Sequence, residues 1–272
     1  MAELTNPQMV ELIEQTFSSI EEVCSQLDDP DWDTSTDLPG WSVKDNLAHL
    51  AHYESQAVGR PSPEDIDVSH RAHATDDFAV RNERGVEYRR PWPGTKVLDE
   101  FLEATTERAK VLRGLDPDGW EQPVSLPAGD FQQGQILGIR TMDLYYHEQD
   151  IRRAVGKPGH LNGDVARFAF ERLARGMGMV TAKHAGAPDG TRVRFAIGAP
   201  GRTFDIFVEG GRGNMKDPEG EPVATFTGDF ETFLCVAGGR WGPQRAIADG
   251  RWTAEGDEHL IGKIHERISV LP

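Results

Sequence analysis

Apolar residues recur at helical spacing through the first part of the chain. Asn6-Pro7 fits an N-cap followed by proline at the first helical position. Ser42 and Asp45 form a capping-box pattern that opens a second helix. The spacing of three and four residues predicts helices over residues 6–27, 42–55, 96–112, 135–155 and 164–184. The segment between residues 60 and 93 is polar and is predicted to be a loop with helical fragments at most.

Past residue 190 the apolar spacing changes from about 3.6 to about 2, which is the period of a half-buried strand. Strands are predicted over residues 193–197, 204–208 and 223–227, with a short one near Ile247 and Trp252. Helices are predicted over residues 229–236 and 260–268. The pattern therefore predicts a helical domain over residues 1–186 and a smaller α+β domain over residues 190–272.

The net charge restricts the classes of partner that the protein is expected to bind. The 272 residues carry 29 Lys+Arg and 45 Asp+Glu, a formal net charge of −16. Eleven acidic residues and one basic residue fall within the first 50 positions, mostly on the predicted outer face of the first helix and in the loop after it. Binding to a phosphate backbone depends on clustered Lys and Arg, so neither nucleic acid nor an anionic membrane is an expected partner.

Two cysteines, Cys24 and Cys235, lie far apart and within apolar patterns. We therefore predict two buried, inert thiols and no disulfide framework. The first residues show no secretory signal pattern, and no apolar run approaches the roughly 18 residues of a membrane span. These features predict a soluble, cytoplasmic protein.

Candidate chemistry lies on the predicted helix over residues 135–155. Asp143, His147 and Asp150 fall within about 60° of one another around the helix axis, beside an apolar stripe. A carboxylate and an imidazole four residues apart can bind one divalent metal, although the same spacing also forms a simple intrahelical hydrogen bond. Asp150 could orient an imidazole or be a ligand itself.

A third ligand must come from another helix. His49 and His52 are both candidates, and the spacing of their neighbours does not choose between them. A second cluster, formed by His70, His73, Asp76 and Asp77, lies in the polar segment and is expected to be solvated. The sequence contains no nucleophile elbow, Walker A loop or dinucleotide fingerprint.

Several segments together resemble one family. Residues 40–51 read GWSVKDNLAHLA, and residues 143–150 read DLYYHEQD. Further along, GDF at 228–230, GGRWGP at 238–243, DGRW at 249–252 and GD at 256–257 follow in order. The combination resembles the mycothiol-dependent maleylpyruvate isomerase-like enzymes, in which a DinB-like metal-binding bundle precedes a sterol-carrier-like domain.

The resemblance implies a four-helix bundle that binds zinc or a similar divalent ion through His49, Asp143 and His147, and it favours His49 over His52. The family commonly has Glu where this chain has Asp143, which is one methylene shorter. It further implies that the metal activates a small thiol, mycothiol, for S-transfer to an electrophile or for isomerisation. Arg240 is the candidate for holding a substrate carboxylate, although an ion pair is the simpler interpretation of that residue.

One alternative interpretation has the same fold but no catalytic activity. The bundle could be a non-catalytic metal-binding or stress-response protein whose C-terminal domain binds an apolar ligand. The sequence identifies neither the electrophile nor the oligomeric state.

Overall fold

The structure is a computed structural model that describes residues 4–63, 65–126, 129–216 and 219–270. It divides into two compact units, Met1–Gly159 and His160–Pro272. No helix of the described residues is long and apolar enough to cross a membrane.

The first unit is built from helices. They are α1 (Asn6–Cys24), α2 (Val43–Ala57), α3 (Asp77–Arg89), α4 (Gly94–Arg113), the short α5 (Pro117–Glu121) and α6 (Gln133–Ala154), with a 3-10 turn at Asp29–Asp33. Strands β1 (Pro123–Leu126) and β2 (Gly129–Gln132) pair antiparallel between α5 and α6. Helices α1, α6, α2 and α4 pack in that cyclic order, and α3 lies against α2. The predicted four-helix bundle is confirmed.

Two local predictions differ from the structure at the start of this unit. Helix α1 is capped by Thr5 rather than Asn6, because Thr5 and Gln8 form the capping box and Asn6 already belongs to the helix. Helix α3 occupies a segment predicted to be mainly loop. Its buried face consists largely of polar residues and glycine, so no apolar stripe indicates it. The Ser42–Asp45 capping box at α2 is confirmed.

The second unit begins with α7 (Asp164–Met179), which continues through a π-helical turn at Val180–His184. Five strands form one sheet in the order β5-β4-β3-β6-β7. Their bounds are β3 (Arg192–Ile197), β4 (Thr203–Glu209), β5 (Arg212–Met215), β6 (Ala224–Gly228) and β7 (Trp252–Gly256). Only β3 and β6 pair in parallel. Helices α8 (Phe230–Ala237), α9 (Pro243–Ala248) and α10 (Glu258–Arg267) complete the unit, so Ile247 is helical where a strand was predicted.

Helix α7 packs on the sheet, which is why the division falls at residue 159 rather than at the predicted 186–190. Phe170 places its ring 5.8 Å from Phe204 of β4. A Cβ at Gly178 would lie 2.3 Å from the carbonyl oxygen of Gly213, so only glycine allows α7 to approach β5 this closely. The helix thus shares its core with the α+β unit.

Aromatic rings fill the centre of the second unit. Phe195 stacks on Phe204 and on Phe226 with ring centroids 5.1 Å apart in each case. Phe226 is also stacked on Trp252 at 6.0 Å, and Phe233 on Trp252 at 6.4 Å. Cys235 lies beside this core and Cys24 lies in the bundle, and both thiols are buried as predicted.

Phe226→Ala is expected to destabilise the second unit by about 3–5 kcal/mol, because it removes a fully buried ring from a stack. Urea unfolding of the full chain measures the loss. The control is Val223→Ala at a side chain that is 44% exposed, where a change within about 0.5 kcal/mol is expected. Equal shifts for the two variants would contradict this account of the core.

Candidate metal centre

Three potential ligands converge where α2 packs against α6. The Nε2 atom of His49, on α2, lies 3.1 Å from Oδ2 of Asp143, on α6. The Nε2 atom of His147 lies 3.5 Å from Oδ1 of the same carboxylate. One donor atom from each of the three residues lies within 4.8 Å of the others. The i, i+4 spacing on α6 therefore meets a histidine of the neighbouring helix.

Asn46 fixes the orientation of the His147 ring. The Nδ1 atom of His147 lies 2.7 Å from Oδ1 of Asn46. The Asn46 amide nitrogen already donates to the Ser42 carbonyl oxygen at 2.8 Å and to Oγ1 of Thr36 at 3.2 Å. Its Oδ1 is therefore the acceptor and His147 Nδ1–H the donor. In that tautomer Nε2 carries a free lone pair directed at Asp143, as a metal ligand requires.

The ionisation states of the other two residues suit a cation. Burial lowers the pKa of His49 to about 4, so its imidazole is neutral near pH 7. Burial alone would raise the pKa of Asp143, but the neighbouring side chains of His49, Arg140 and His147 hold it well below its usual range. An ionised carboxylate faces two imidazoles, and this donor set is one that zinc takes in proteins.

The distances also fit such an ion. Bonds of about 2.0–2.1 Å in a tetrahedral zinc site place ligand atoms about 3.3 Å apart. The separations of 3.1 and 3.5 Å between the imidazole nitrogens and the Asp143 oxygens bracket that value. The shorter Asp143 side chain therefore reaches both histidines.

Arg140 supports the carboxylate from the same helix. Its guanidinium donates to Oδ2 of Asp143 and, at 2.9 Å, to Oε1 of Glu54. Glu54 is buried, whereas the Asp143 side chain is 31% exposed. His49 and His147 are both buried, so solvent reaches the three residues through the Asp143 edge.

His52 does not join the three residues. Its ring lies against Gly85 of α3, where a Cβ would come within 2.5 Å of it. Burial lowers the pKa of His52 to about 3, with a contribution from the positive charge of Arg89. His52 is therefore a neutral packing residue between α2 and α3.

Asp150, considered above as an orienting group, plays a smaller part than Asn46. Its Oδ2 lies 3.7 Å from Nδ1 of His147, beyond hydrogen-bond distance, and its Oδ1 pairs with Arg153. Asn46, rather than Asp150, accepts the hydrogen bond that orients His147. The sequence shows Asn46 only as a residue three positions before His49 on the same helix.

The second histidine cluster does not assemble a ligand set within the described residues. The Nε2 atom of His73 lies 2.7 Å from Oε2 of Glu83. A hydrogen bond therefore holds this ring, which was expected to be solvated. His70 is more than half exposed, and Asp76 caps α3 through the amide of Ala79. His73 and Asp76 thus form hydrogen bonds with residues of α3.

Arg240 belongs to the second unit, where it follows α8. Its Nη1 donates to the carbonyl oxygen of Gly238 at 3.1 Å, and its side chain is half-buried. Its role toward a substrate stays a prediction.

Fold and site together define the class: a four-helix bundle with a candidate metal site, followed by an α+β domain. Residues 14–152 match the family described as the mycothiol maleylpyruvate isomerase N-terminal domain, and residues 181–267 match the SCP-2 sterol transfer family. The chain belongs to the mycothiol maleylpyruvate isomerase N-terminal domain family.

Solved structures are similar to the whole chain or to part of it. A mycothiol-dependent maleylpyruvate isomerase is 16% identical, covers 93% of both chains and gives a TM-score of 0.60. A histidine-to-alanine variant of a mycothiol-dependent maleylpyruvate isomerase gives 0.57 at the same identity and coverage. A sterol carrier protein domain of Helicoverpa armigera, 19% identical, covers 39% of this chain and 91% of its own, with a TM-score of 0.31. No curated protein matches the chain.

Asn46→Ala is expected to weaken zinc binding about 10–100-fold, because His147 loses the acceptor that fixes its tautomer. Competition titration with a chromophoric chelator measures the affinity. The control is Asn214→Ala, which removes an exposed asparagine of the second unit. Unchanged affinity in Asn46→Ala, with unchanged helical content, would show that Asn46 does not orient a ligand.

Proposed function

We propose that this protein is a metal-dependent enzyme that activates a low-molecular-weight thiol, mycothiol, for S-transfer to a small electrophile or for its isomerisation. The observation that carries the proposal is the convergence of His49, Asp143 and His147, with the His147 lone pair fixed by Asn46. Membership of the mycothiol maleylpyruvate isomerase N-terminal domain family supports the choice of thiol. Such chemistry fits a cytoplasmic enzyme, because thiols stay reduced there.

Zinc is the ion that we propose, since two imidazoles and a carboxylate match its three-ligand catalytic sites. Bound there, it would supply a Lewis acid able to lower the pKa of a thiol. His49 and His147 would hold it through Nε2, and Asp143 through a carboxylate oxygen.

Around the ligands, the chain's own residues control access and orientation. Asn46 holds His147, and Arg140 holds Asp143. Because both imidazoles are buried and Asp143 is partly exposed, substrates approach from the Asp143 side. We further propose that Arg240 binds a carboxylate of the electrophile.

The alternative, a metal-binding protein with an apolar-ligand carrier domain, gains no specific support from the packing of the second unit. A carrier needs room for its ligand inside the fold. The stacked rings of Phe195, Phe204, Phe226 and Trp252 occupy part of that interior and are all buried. This packing does not favour the carrier alternative over the enzyme.

Thiol-dependent turnover tests the proposal. The zinc-loaded protein is assayed with mycothiol and either maleylpyruvate, for isomerisation, or monochlorobimane, for S-transfer. We expect activity that a chelator removes and zinc restores. His147→Ala should lower both bound zinc and activity by at least about 100-fold, because a metal ligand is lost.

The matched control is His70→Ala, which removes a more than half-exposed histidine from the same unit and should leave both quantities unchanged. Full zinc occupancy in His147→Ala would refute the ligand set. Zinc binding without thiol turnover, together with saturable binding of a fluorescent fatty acid to the full chain, would support the carrier alternative instead.

A further inference from the structure

His49 is held between two aromatic side chains. Its ring centroid lies 5.2 Å from that of Trp41 and 5.1 Å from that of Tyr53. Trp41 also covers His147, at 5.6 Å. The guanidinium of Arg140 lies over the Tyr53 ring at 4.8 Å. Two aromatic rings therefore contact the His49 imidazole, one tilted and one at an edge.

Consecutive residues of α3 hold these two rings. Oε2 of Glu83 accepts a hydrogen bond from the Trp41 indole N–H at 2.8 Å. Oδ1 of Asn82 accepts one from the Tyr53 hydroxyl at 2.6 Å. Both aromatic side chains are half-buried and could otherwise change rotamer. One turn of α3 thus fixes the orientation of two rings that contact the candidate ligand.

Glu83 is itself fully buried and held by several partners. His73 lies 2.7 Å from its Oε2, and Arg90 forms an ion pair with its Oε1 at 2.8 Å. Burial would raise the pKa of Glu83, but the hydrogen bonds from His73 and Trp41 and the charge of Arg90 lower it. An ionised carboxylate is costly to bury without partners. The several partners of Glu83 offset that cost and hold its side chain in one position, where it anchors Trp41.

The two candidate histidine ligands differ in how their rings are oriented. His147 has the usual arrangement, in which the second ring nitrogen bonds a neighbouring side chain. The Nδ1 atom of His49 is buried, and none of the described residues hydrogen-bonds it. The Nδ1 edge of His49 is therefore held by packing alone, while its Nε2 contacts Asp143 at 3.1 Å. Trp41 and Tyr53 are two of the rings that pack on it, beside His147.

We propose that Asn82 and Glu83 are positioning residues of the candidate metal centre, which act by fixing Tyr53 and Trp41 against His49. This aromatic clamp supports the His49 ring, whose Nδ1 has no hydrogen-bond partner among the described residues. The inference rests on the proposed metal site for its effect on affinity, but its effect on the His49 ring does not depend on bound metal.

A double-mutant cycle on the Tyr53–Asn82 contact tests the proposal in the full chain. Tyr53→Phe and Asn82→Ala each remove one partner of the same hydrogen bond while keeping the aromatic ring. Each single variant and the double variant should weaken zinc binding by a similar factor, about 10-fold, because all three lose the same contact. Asn82→Asp keeps the acceptor oxygen and should retain wild-type affinity.

Tyr88→Phe is the matched control, since Tyr88 is an exposed tyrosine of the same helix. This variant should change neither the zinc affinity nor the melting temperature. A merely structural role for Asn82 would lower the melting temperature in Asn82→Ala without changing zinc affinity, and that result would overturn the proposal.

A second measurement needs no metal. In ¹⁵N-histidine spectra of the metal-free protein, Asn82→Ala should shift or broaden the ring signals of His49 and leave those of His265 in the second unit unchanged. If the wild-type protein binds no zinc, the proposed function fails, and these spectra still decide the clamp. Unchanged His49 signals in both Asn82→Ala and Tyr53→Phe would overturn it.

Discussion

The hydrogen bond between His147 Nδ1–H and Asn46 Oδ1 determines the chemistry of the site. It decides which imidazole nitrogen faces Asp143. Asn46 can accept it because its amide nitrogen donates to the Ser42 carbonyl oxygen and to Thr36. Both of those residues precede α2. The turn that starts one helix thereby selects the tautomer of a histidine on another.

Helix α6 carries much of the buried charge of the bundle. Arg152 pairs with Glu148 of the same helix at 2.7 Å and with Glu22 of α1 at 2.9 Å, and Arg140 pairs with Glu54 of α2. Removing one partner of such a pair leaves a charge without compensation, so these pairs favour a single arrangement of α6 against α1 and α2. Placement of the candidate ligands follows from that arrangement, because Asp143 and His147 lie between the two pairs on the same helix.

The sequence could predict those parts of the fold that depend on neighbours along the chain. The Ser42–Asp45 capping box starts α2, and an i, i+4 pattern places Asp143 and His147 together. Helix α3 could not be predicted in this way. Its buried positions include Glu83, Gly85 and Arg89, and periodicity detects only apolar positions.

The site itself was only partly predictable for a related reason. His49 and His52 differ in their surroundings because α6 faces one and α3 faces the other. That difference arises from packing between helices distant in sequence. The resemblance to a family favoured His49, whereas the spacing of residues on α2 did not. Nothing local to the sequence indicated Asn46, Asn82 or Glu83 as partners, because their hydrogen bonds span at least 29 residues.

The aspartate at position 143 is best understood together with Arg140. Its Oδ2 accepts from Arg140, while its Oδ1 faces His147. Imidazole ligands carry no charge, and the Arg140 guanidinium is shared between Asp143 and the buried carboxylate of Glu54. This set of side chains would therefore leave part of the positive charge of a divalent ion uncompensated. A site of that kind favours an anionic ligand at its exposed edge, and a thiolate is such a ligand.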